Sequence, residues 1–285
     1  MAEYKLVSIR SKYARLVFES GMGVSVVAGE RSTFYTFPDF EPIIERFVVL
    51  RSAITADYET VQRALPFLTQ AEVRLGAFAH LHHTIDSAML SLHFIDNYLL
   101  PVDNEWWSAP KQQSLFGSFD DWYKESMVNS FNNGSVKYAV LHQLFGKIEN
   151  TFRHLLRKLD PSAANNATLD IKSVFEALCG CIGNKPAQSS ELLKLLRLSR
   201  NTIHNNGVFY SNKQTDDVVT YNDKLYEFKH AKPVNFINWH FLIDRMDDVR
   251  QLFSAVINDP LILGIKGEIP DMFEQNRNKV AAGAR

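Results

Sequence analysis

Cysteine is scarce in this chain, and its scarcity excludes several classes of protein. The 285 residues contain only Cys179 and Cys181, both in the run CGCIG. A disulfide between positions two apart would strain the backbone, and no second pair completes a four-ligand zinc site. We therefore predict two reduced thiols that serve packing, in a reducing compartment.

Long apolar runs and an excess of one charge are also missing. No apolar stretch approaches the roughly 20 residues that span a bilayer, and the start, MAEYKLVSIR, lacks the apolar core of a signal peptide. The formal net charge is -1, so a nucleic-acid site must be a local patch. We expect a cytoplasmic protein with no membrane partner.

Recognisable cofactor and metal motifs are missing as well. There is no GxSxG, no phosphate-binding glycine loop and no Rossmann fingerprint, so the sequence predicts no cofactor. His80, His83 and Asp86 stand at three-residue steps, which is one pattern for an open zinc site, with His82 on the apolar stripe. The HExxH arrangement is lacking, so we interpret this segment as a histidine-rich helix partly packed in a core, and we predict no metal.

Helical periodicity dominates what is present, from about residue 56 onwards. Apolar residues at three- and four-residue steps predict a long helix over 72–100, single or broken near Gly76, and further helices over 136–159, 169–183, 189–204 and 238–257. DVVTY and KLYEF flank Asn222-Asp223, which predicts a hairpin, and residues 1–40 suggest short strands. The predicted fold is mainly α, with a C-terminal helical bundle that carries a small β-hairpin insertion.

Breaker residues divide the chain into predicted regions. The stretch 101–125 is loop-like, and FNNGS at 131–135 is a strong breaker. We predict an N-terminal region over 1–130 with a sensing, regulatory or scaffold role, a helical domain over 131–265 and a flexible tail over 266–285. Trp106, Trp107 and Trp122 are interpreted as loop anchors in preference to a base-stacking surface.

The stretch LRLSRNTIHNNG, from Leu196 to Gly207, carries the candidate chemistry. Arg200 and His204 are four residues apart, about 40° around a helix and about 6 Å along it, and Arg197 and His204 are about 20° and about 10 Å apart. With Asn201 they form a row that can bind a phosphodiester and move a proton near neutral pH. The same residues also suit the negative end of a helix dipole, with Gly207 as the left-handed C′ residue.

RNTIHNNG after a leucine-rich helix resembles the Arg-x4-6-His signature of HEPN domains (higher eukaryotes and prokaryotes nucleotide-binding). These are helical bundles, many of them metal-independent ribonucleases in toxin, CRISPR-associated and anti-phage systems. The resemblance covers about residues 135–257. A polar residue, often Asn, follows the family arginine, as Asn201 follows Arg200. Three residues separate Arg200 from His204, one fewer than in the family, whereas six separate Arg197 from His204, so either arginine can be the motif residue.

The resemblance implies an RNA substrate and a two-fold homodimer in which two motifs form one cleft. It implies attack of the RNA 2′-hydroxyl on the adjacent phosphate, which leaves a 2′,3′-cyclic phosphate. His204 then moves protons, Arg200 or Arg197 stabilises the phosphorane charge, and Asn201 orients them. A toxin or anti-phage effector with a regulatory or antitoxin partner is the expected context. The alternative is a non-catalytic HEPN-fold module for dimerisation or for binding a nucleotide or partner.

Overall fold

The computed structural model describes residues 35, 37–69, 72–100, 105–117, 120–164 and 170–271. Within these ranges the chain is mainly helical and contains two small antiparallel sheets of two strands each. The predicted fold class is therefore confirmed. The strands predicted for residues 1–40 lie almost entirely outside the described residues.

Helices account for most of the described chain. In order they are α1 (Glu41–Ala64), α2 (Val73–Phe94), α3 (Glu105–Ser108), α4 (Pro110–Phe116), α5 (Asp121–Ser130), α6 (Lys137–Leu159), α7 (Pro161–Ala164), α8 (Ile171–Ile182), α9 (Ser189–His204), α10 (Trp239–Ile257) and α11 (Pro260–Leu263). Short π-helical segments follow α2 and α5, at Ile95–Leu99 and Phe131–Val136. The strands are β1 (Val208–Phe209), β2 (Asp217–Tyr221), β3 (Lys224–Phe228) and β4 (Lys232–Pro233).

The chain forms two compact units that are interleaved along the sequence. One contains Ser87–Lys137 with the described residues up to Arg46, and the other contains Phe47–Asp86 with the described residues from Tyr138 onwards. The sequence-based division near residue 131 lies close to one of these boundaries. It did not anticipate that residues 47–86 join the C-terminal unit, because contacts between distant segments leave no mark in local periodicity.

The second unit is built around buried aromatic rings contributed by five helices. The ring centroid of Phe152 in α6 lies 5.1 Å from that of Phe175 in α8 and 5.9 Å from that of Phe253 in α10. Phe253 also meets Phe78 of α2, and Phe47 of α1 meets Trp239 of α10. Three of these four contacts are edge-to-face, and such contacts add to the burial of large apolar side chains, so the rings hold α6 against α8 and α10.

The predicted hairpin is present. β2 and β3 pair in register from Asp217 with Phe228 to Tyr221 with Lys224. Asn222 and Asp223, between them, both have positive φ, at 47° and 58°, as a two-residue turn of this type requires. The buried guanidinium of Arg245 in α10 donates to the Tyr226 hydroxyl at 3.1 Å, and this bond ties the hairpin to the bundle.

The end of α9 differs by one residue from the prediction. Asn206 occupies the left-handed C′ position with φ 54°, and Gly207 follows with φ 83°. The Gly207 amide donates to the Thr202 carbonyl at 3.0 Å and the Asn206 amide to the Ile203 carbonyl at 3.1 Å, which is a Schellman motif. Asparagine tolerates the left-handed region well enough to take the place predicted for glycine.

Two segments predicted as irregular are helical. Residues 101–125 were expected to be loop, but α3, α4 and the start of α5 lie in this range. FNNGS was expected to break the chain, yet Phe131–Val136 continues α5 into α6 as a π-helix. Asn133 donates to the Asn129 carboxamide oxygen at 2.6 Å and accepts from Lys137 at 2.7 Å. The asparagines bond along the helix surface and so do not compete for backbone groups as they do in turns.

The tryptophans of the first unit divide into anchored and exposed residues. Trp107 is buried, and its indole N–H donates to the Leu99 carbonyl at 3.1 Å. The ring of Trp106 packs edge-to-face on that of Trp107, with centroids 4.8 Å apart. These two residues anchor their segment, as predicted. Trp122 is 40% exposed, so anchoring does not describe it.

The segment after α11 is packed, although a flexible tail was predicted from residue 266. Ile269 and Asp271 are buried, and Pro270 forms an isolated bridge with Glu72. Asp271 accepts from the ammonium group of Lys147 in α6, and the two side chains are 0% and 2% exposed. Asn150 adds a second bond to Asp271 at 3.1 Å. The sequence did not predict this ion pair, because polar residues around Asp271 indicate an exposed segment. Residues 272–285 lie outside the described ranges.

We expect Asp271→Ala to lower the free energy of unfolding by about 3–5 kcal/mol, because the Lys147 ammonium group would remain buried without its counter-charge. Urea unfolding followed by circular dichroism measures the change. The double variant Lys147→Met/Asp271→Leu should recover most of the loss, and Lys158→Met, an exposed lysine of the same helix, should change little. A loss below about 1 kcal/mol would contradict a buried pair.

A second expectation concerns acid stability. Burial, followed by the charge of Lys147, lowers the pKa of His80 from 6.5 to about 4. Between these values the unfolded chain binds a proton that the folded chain does not, so stability rises with pH across the window and is lost as pH falls. The contribution is on the order of 3 kcal/mol. The free energy of unfolding should differ less between pH 7 and pH 4.5 in His80→Gln than in wild type. Equal differences in the two proteins would contradict a contribution from His80.

Candidate functional site

The four residues predicted from the sequence lie in the last two turns of α9, but their environments differ. Arg197 and His204 are exposed, whereas Arg200 and Asn201 are half-buried. The apolar side of α9 is packed inside the second unit, with Leu192, Leu195, Leu196 and Leu198 buried. The apolar residues of α9 therefore form one face of the helix. The four polar residues occupy the flank beside α6 and the surface next to that flank.

Contacts between α6 and α9 assemble the site. The guanidinium carbon of Arg200 lies 5.1 Å from the ring centroid of Phe145, and His204, one turn later, meets Tyr138, which lies two turns earlier in α6. Since successive contacts run in opposite directions along the two helices, α6 and α9 are antiparallel here. The end of α9 therefore lies against the start of α6.

His204 is held by Tyr138. Its Nδ1 is 3.2 Å from the Tyr138 hydroxyl oxygen, and the two rings meet edge-to-face with centroids 5.1 Å apart. Either atom can donate, depending on the imidazole tautomer. The contact fixes the ring and leaves Nε2 to give or accept a proton, which is the orientation that proton transfer requires.

A second histidine belongs to the same group. The His142 ring stacks on Tyr138 with an interplanar angle of 14° and a centroid separation of 5.7 Å. It lies 6.1 Å from the His204 ring, almost perpendicular to it, and His142 is exposed. Tyr138, His142 and His204 are called the histidine–tyrosine cluster below. One tyrosine ring thus holds two imidazoles.

Arg200 brings a positive charge beside this cluster. Its Nε is buried and makes no hydrogen bond within the described residues. Its guanidinium packs on the Phe145 ring, and no carboxylate of the described chain forms an ion pair with it. Burying a donor without a partner costs about 1–3 kcal/mol, so a shift of this side chain that lets the Nε–H bond an anion would recover part of that cost.

Arg197 and Asn201 have different surroundings. Asp170 caps α8, and hydrogen bonding to the Ser173 amide lowers the pKa of its carboxyl group, with a smaller contribution from the charge of Arg197. Arg197 therefore lies on the side of α9 near the start of α8. The backbone carbonyl of Asn201 accepts from the Asn205 carboxamide at 2.9 Å. Of the two candidate arginines, Arg200 is the one that shares the α6 flank with His204.

The histidine-rich segment of α2 does not form a metal face. His82 was placed on the apolar stripe, but it is half-buried and pairs with Asp86 at 3.1 Å, and Arg51 binds the other oxygen of Asp86 at 2.7 Å. No group of three or more His, Cys, Asp or Glu side chains in the described ranges is arranged to hold a metal ion. His80 lies inward, where burial lowers its pKa to about 4.

Sequence reasoning missed Tyr138 and His142. Both stand in VKYAVLHQLF, four residues apart and hence on one flank of the helix. The available signal was a tyrosine and a histidine at helical spacing on the polar side, but nothing local indicates that this flank meets the end of α9.

Comparison with models of protein families, with curated proteins and with solved structures found no match. In the described part of the chain, no helix combines the length and apolar character that crossing a membrane requires.

Proposed function

We propose that this protein is a metal-independent endoribonuclease of the HEPN type, acting as a toxin or anti-phage effector. The observation that carries the proposal is the placement, on one flank of α9, of two groups: the Arg200 guanidinium, whose buried Nε has no hydrogen-bond partner among the described residues, and His204, whose Nδ1 is held by Tyr138. Such a pair combines an anion-binding group with a proton-transfer group, which phosphodiester cleavage without a metal needs.

The reaction that suits these groups is intramolecular attack by the RNA 2′-hydroxyl on the neighbouring phosphorus. The 2′-oxygen forms a bond to phosphorus as the bond to the 5′-oxygen breaks, and a 2′,3′-cyclic phosphate results. Arg200 stabilises the charge that develops on the non-bridging oxygens. His204 moves a proton through Nε2 while Tyr138 holds its other nitrogen. DNA lacks the attacking hydroxyl and is not a substrate.

The remaining predicted residues have supporting roles in this proposal. Arg197, farther from His204 and exposed, contacts a neighbouring phosphate and contributes affinity. Asn201 orients the reacting groups. A homodimer in which two α9 ends approach each other extends the basic surface along the RNA, and a regulatory or antitoxin partner restrains the nuclease in the cell.

The proposal is tested with purified protein and short labelled RNAs, each with a DNA strand of the same sequence. We expect cleavage of RNA only, unaffected by EDTA, with products ending in 2′,3′-cyclic phosphate. Loss of activity with a chelator would contradict a metal-independent site. RNA or nucleotide binding without cleavage would favour the non-catalytic module that the short Arg200–His204 spacing also allows.

We expect His204→Ala to lower RNA cleavage by about 10²–10⁴-fold, the range for loss of a proton-transfer residue. The fold should persist, because the residue is exposed and its loss from a helix end costs about 0.3–1 kcal/mol. Initial rates and thermal unfolding measure both effects. His83→Ala, at an exposed histidine of α2, is the matched control. Wild-type rates in a folded His204→Ala protein would exclude a catalytic role.

Substitution of Arg200 and substitution of Arg197 should have different kinetic effects. Arg200→Ala should lower kcat by roughly 10²–10³-fold, as removal of a charge-stabilising donor does, whereas Arg197→Ala should chiefly raise KM. Arg200→Lys should also be poor, since an ammonium group cannot replace a planar fork of donors. Steady-state kinetics on one RNA substrate separate the effects. A larger loss of kcat in Arg197→Ala would make that residue the motif arginine.

A further inference from the structure

We propose that His142 is the second proton-transfer residue of the site and acts with His204 of the same chain on one phosphodiester. This inference rests on the proposed ribonuclease function. The inference goes beyond that function, because the motif residues provide one imidazole per chain, whereas attack by one oxygen and departure of the other each require a proton to move.

The arrangement of the histidine–tyrosine cluster carries the inference. Both imidazoles are exposed, and Tyr138 fixes both: its hydroxyl contacts Nδ1 of His204 at 3.2 Å, and its ring stacks on His142. The His142 and His204 rings are 6.1 Å apart at an interplanar angle of 88°. The two rings are therefore separate and turned in different directions. Two histidines kept only for the charge of a helix end would not need a shared aromatic support.

The ring separation suits an in-line displacement. The attacking and leaving oxygens lie on opposite sides of phosphorus, and the base and the acid must each come within about 3 Å of their own oxygen. Two imidazoles whose centres are 6.1 Å apart can reach these oxygens from either side of one phosphate. Arg200, one turn before His204 on the same flank, then faces the non-bridging oxygens.

The roles follow from the position of each histidine. His204 is the last residue of α9, and its Nδ1 lies 3.2 Å from the Tyr138 hydroxyl oxygen, so we assign it as the acid. Its Nδ1–H then donates to the Tyr138 oxygen, and its Nε2–H serves as the acid. Neutral His142 is the base. It takes the proton of the 2′-hydroxyl as the bond from the 2′-oxygen to phosphorus forms, and His204 gives its proton to the departing 5′-oxygen.

Protons and bonds balance in this step without an oxidant, a reductant or a further reactant. One P–O bond forms and one breaks, and one proton is taken up as another is released. Exchange with water returns His142 to the neutral form and His204 to the protonated form. The products are an RNA ending in 2′,3′-cyclic phosphate and one beginning with a 5′-hydroxyl.

The central experiment compares kcat/KM against pH for wild type, His142→Gln, His142→Phe and the control His83→Gln. Wild type should give a bell-shaped profile, whose acid limb reports the base and whose alkaline limb reports the acid. His142→Gln should lose about 10²–10⁴-fold in rate and lose the acid limb. His142→Phe, which retains an aromatic ring to stack on Tyr138, should be equally poor, whereas His83→Gln should match wild type.

These variants separate chemistry from packing. If His142→Phe restores wild-type rates, His142 only supports Tyr138 and the inference is overturned. An unchanged rate or an unchanged acid limb in His142→Gln overturns it too. Loss of the alkaline limb instead would overturn the assignment of His142 as the base. Thermal unfolding of each variant shows whether a lost rate reflects a lost fold.

Mixing two inactive proteins tests whether the histidines act within one chain. His142→Gln and His204→Gln are co-refolded so that subunits exchange, and cleavage is compared with each variant alone. A same-chain pair predicts no recovery, because every site then lacks one histidine. Recovery of activity would mean that His142 serves the partner protomer, which overturns the same-chain arrangement.

A binding measurement keeps this inference distinct from the proposed function. Inorganic phosphate is titrated into wild-type protein while NMR follows the ring signals of both histidines. His142 and His204 should shift along one saturation curve, and Arg200→Ala should weaken both responses together. If wild type cleaves no RNA, the proposed function fails, and a joint response would still support a shared phosphate site. A response of His204 alone, or of neither histidine, overturns the inference.

Discussion

The antiparallel packing of α6 against α9 is the constraint on which the candidate site depends. Phe152 of α6 lies among the rings of Phe175 and Phe253, so α6 cannot rotate without opening the core of the second unit. Close packing makes such a rotation costly. With α6 held in this way, the flank that carries Tyr138 and His142 faces the end of α9. The orientation of the site is therefore a consequence of the core.

Different turns of α6 contribute to the stability of the fold and to the candidate site. The middle of α6 holds the segment after α11 through Lys147, Asn150 and Asp271. Its first turns carry the half-buried ring of Tyr138 and the exposed ring of His142, which both meet His204. A buried ion pair needs complete desolvation and fixed partners, whereas proton transfer needs groups that substrate and solvent can reach. Because the ion pair and the candidate site lie at different turns of α6, each has the environment that it needs.

Much of the fold could be predicted because it depends on local rules. The hairpin at Asn222-Asp223 and the inward faces of α6, α9 and α10 follow from turn chemistry and helical period. Predictions were wrong where side-chain contacts, some local and some tertiary, override the preference of a residue type for turns or for the surface. Phe131–Val136 is π-helical although FNNGS resembles a turn. Asp271 is buried although its segment is polar, because Lys147 compensates its charge. His82 pairs with Asp86 on a half-buried surface.

For the candidate site, the sequence by itself determined which polar residues share the end of α9, because residues three, four and seven apart on a helix lie on one side. It left open which arginine accompanies His204, since both spacings are compatible with a helix. Only the tertiary structure shows that Arg200 shares the α6 flank with His204, by placing Arg200 on Phe145 and His204 on Tyr138, which lies 66 residues earlier. The helical repeat determines neighbours within one helix, whereas neighbours across two helices depend on how the whole core packs.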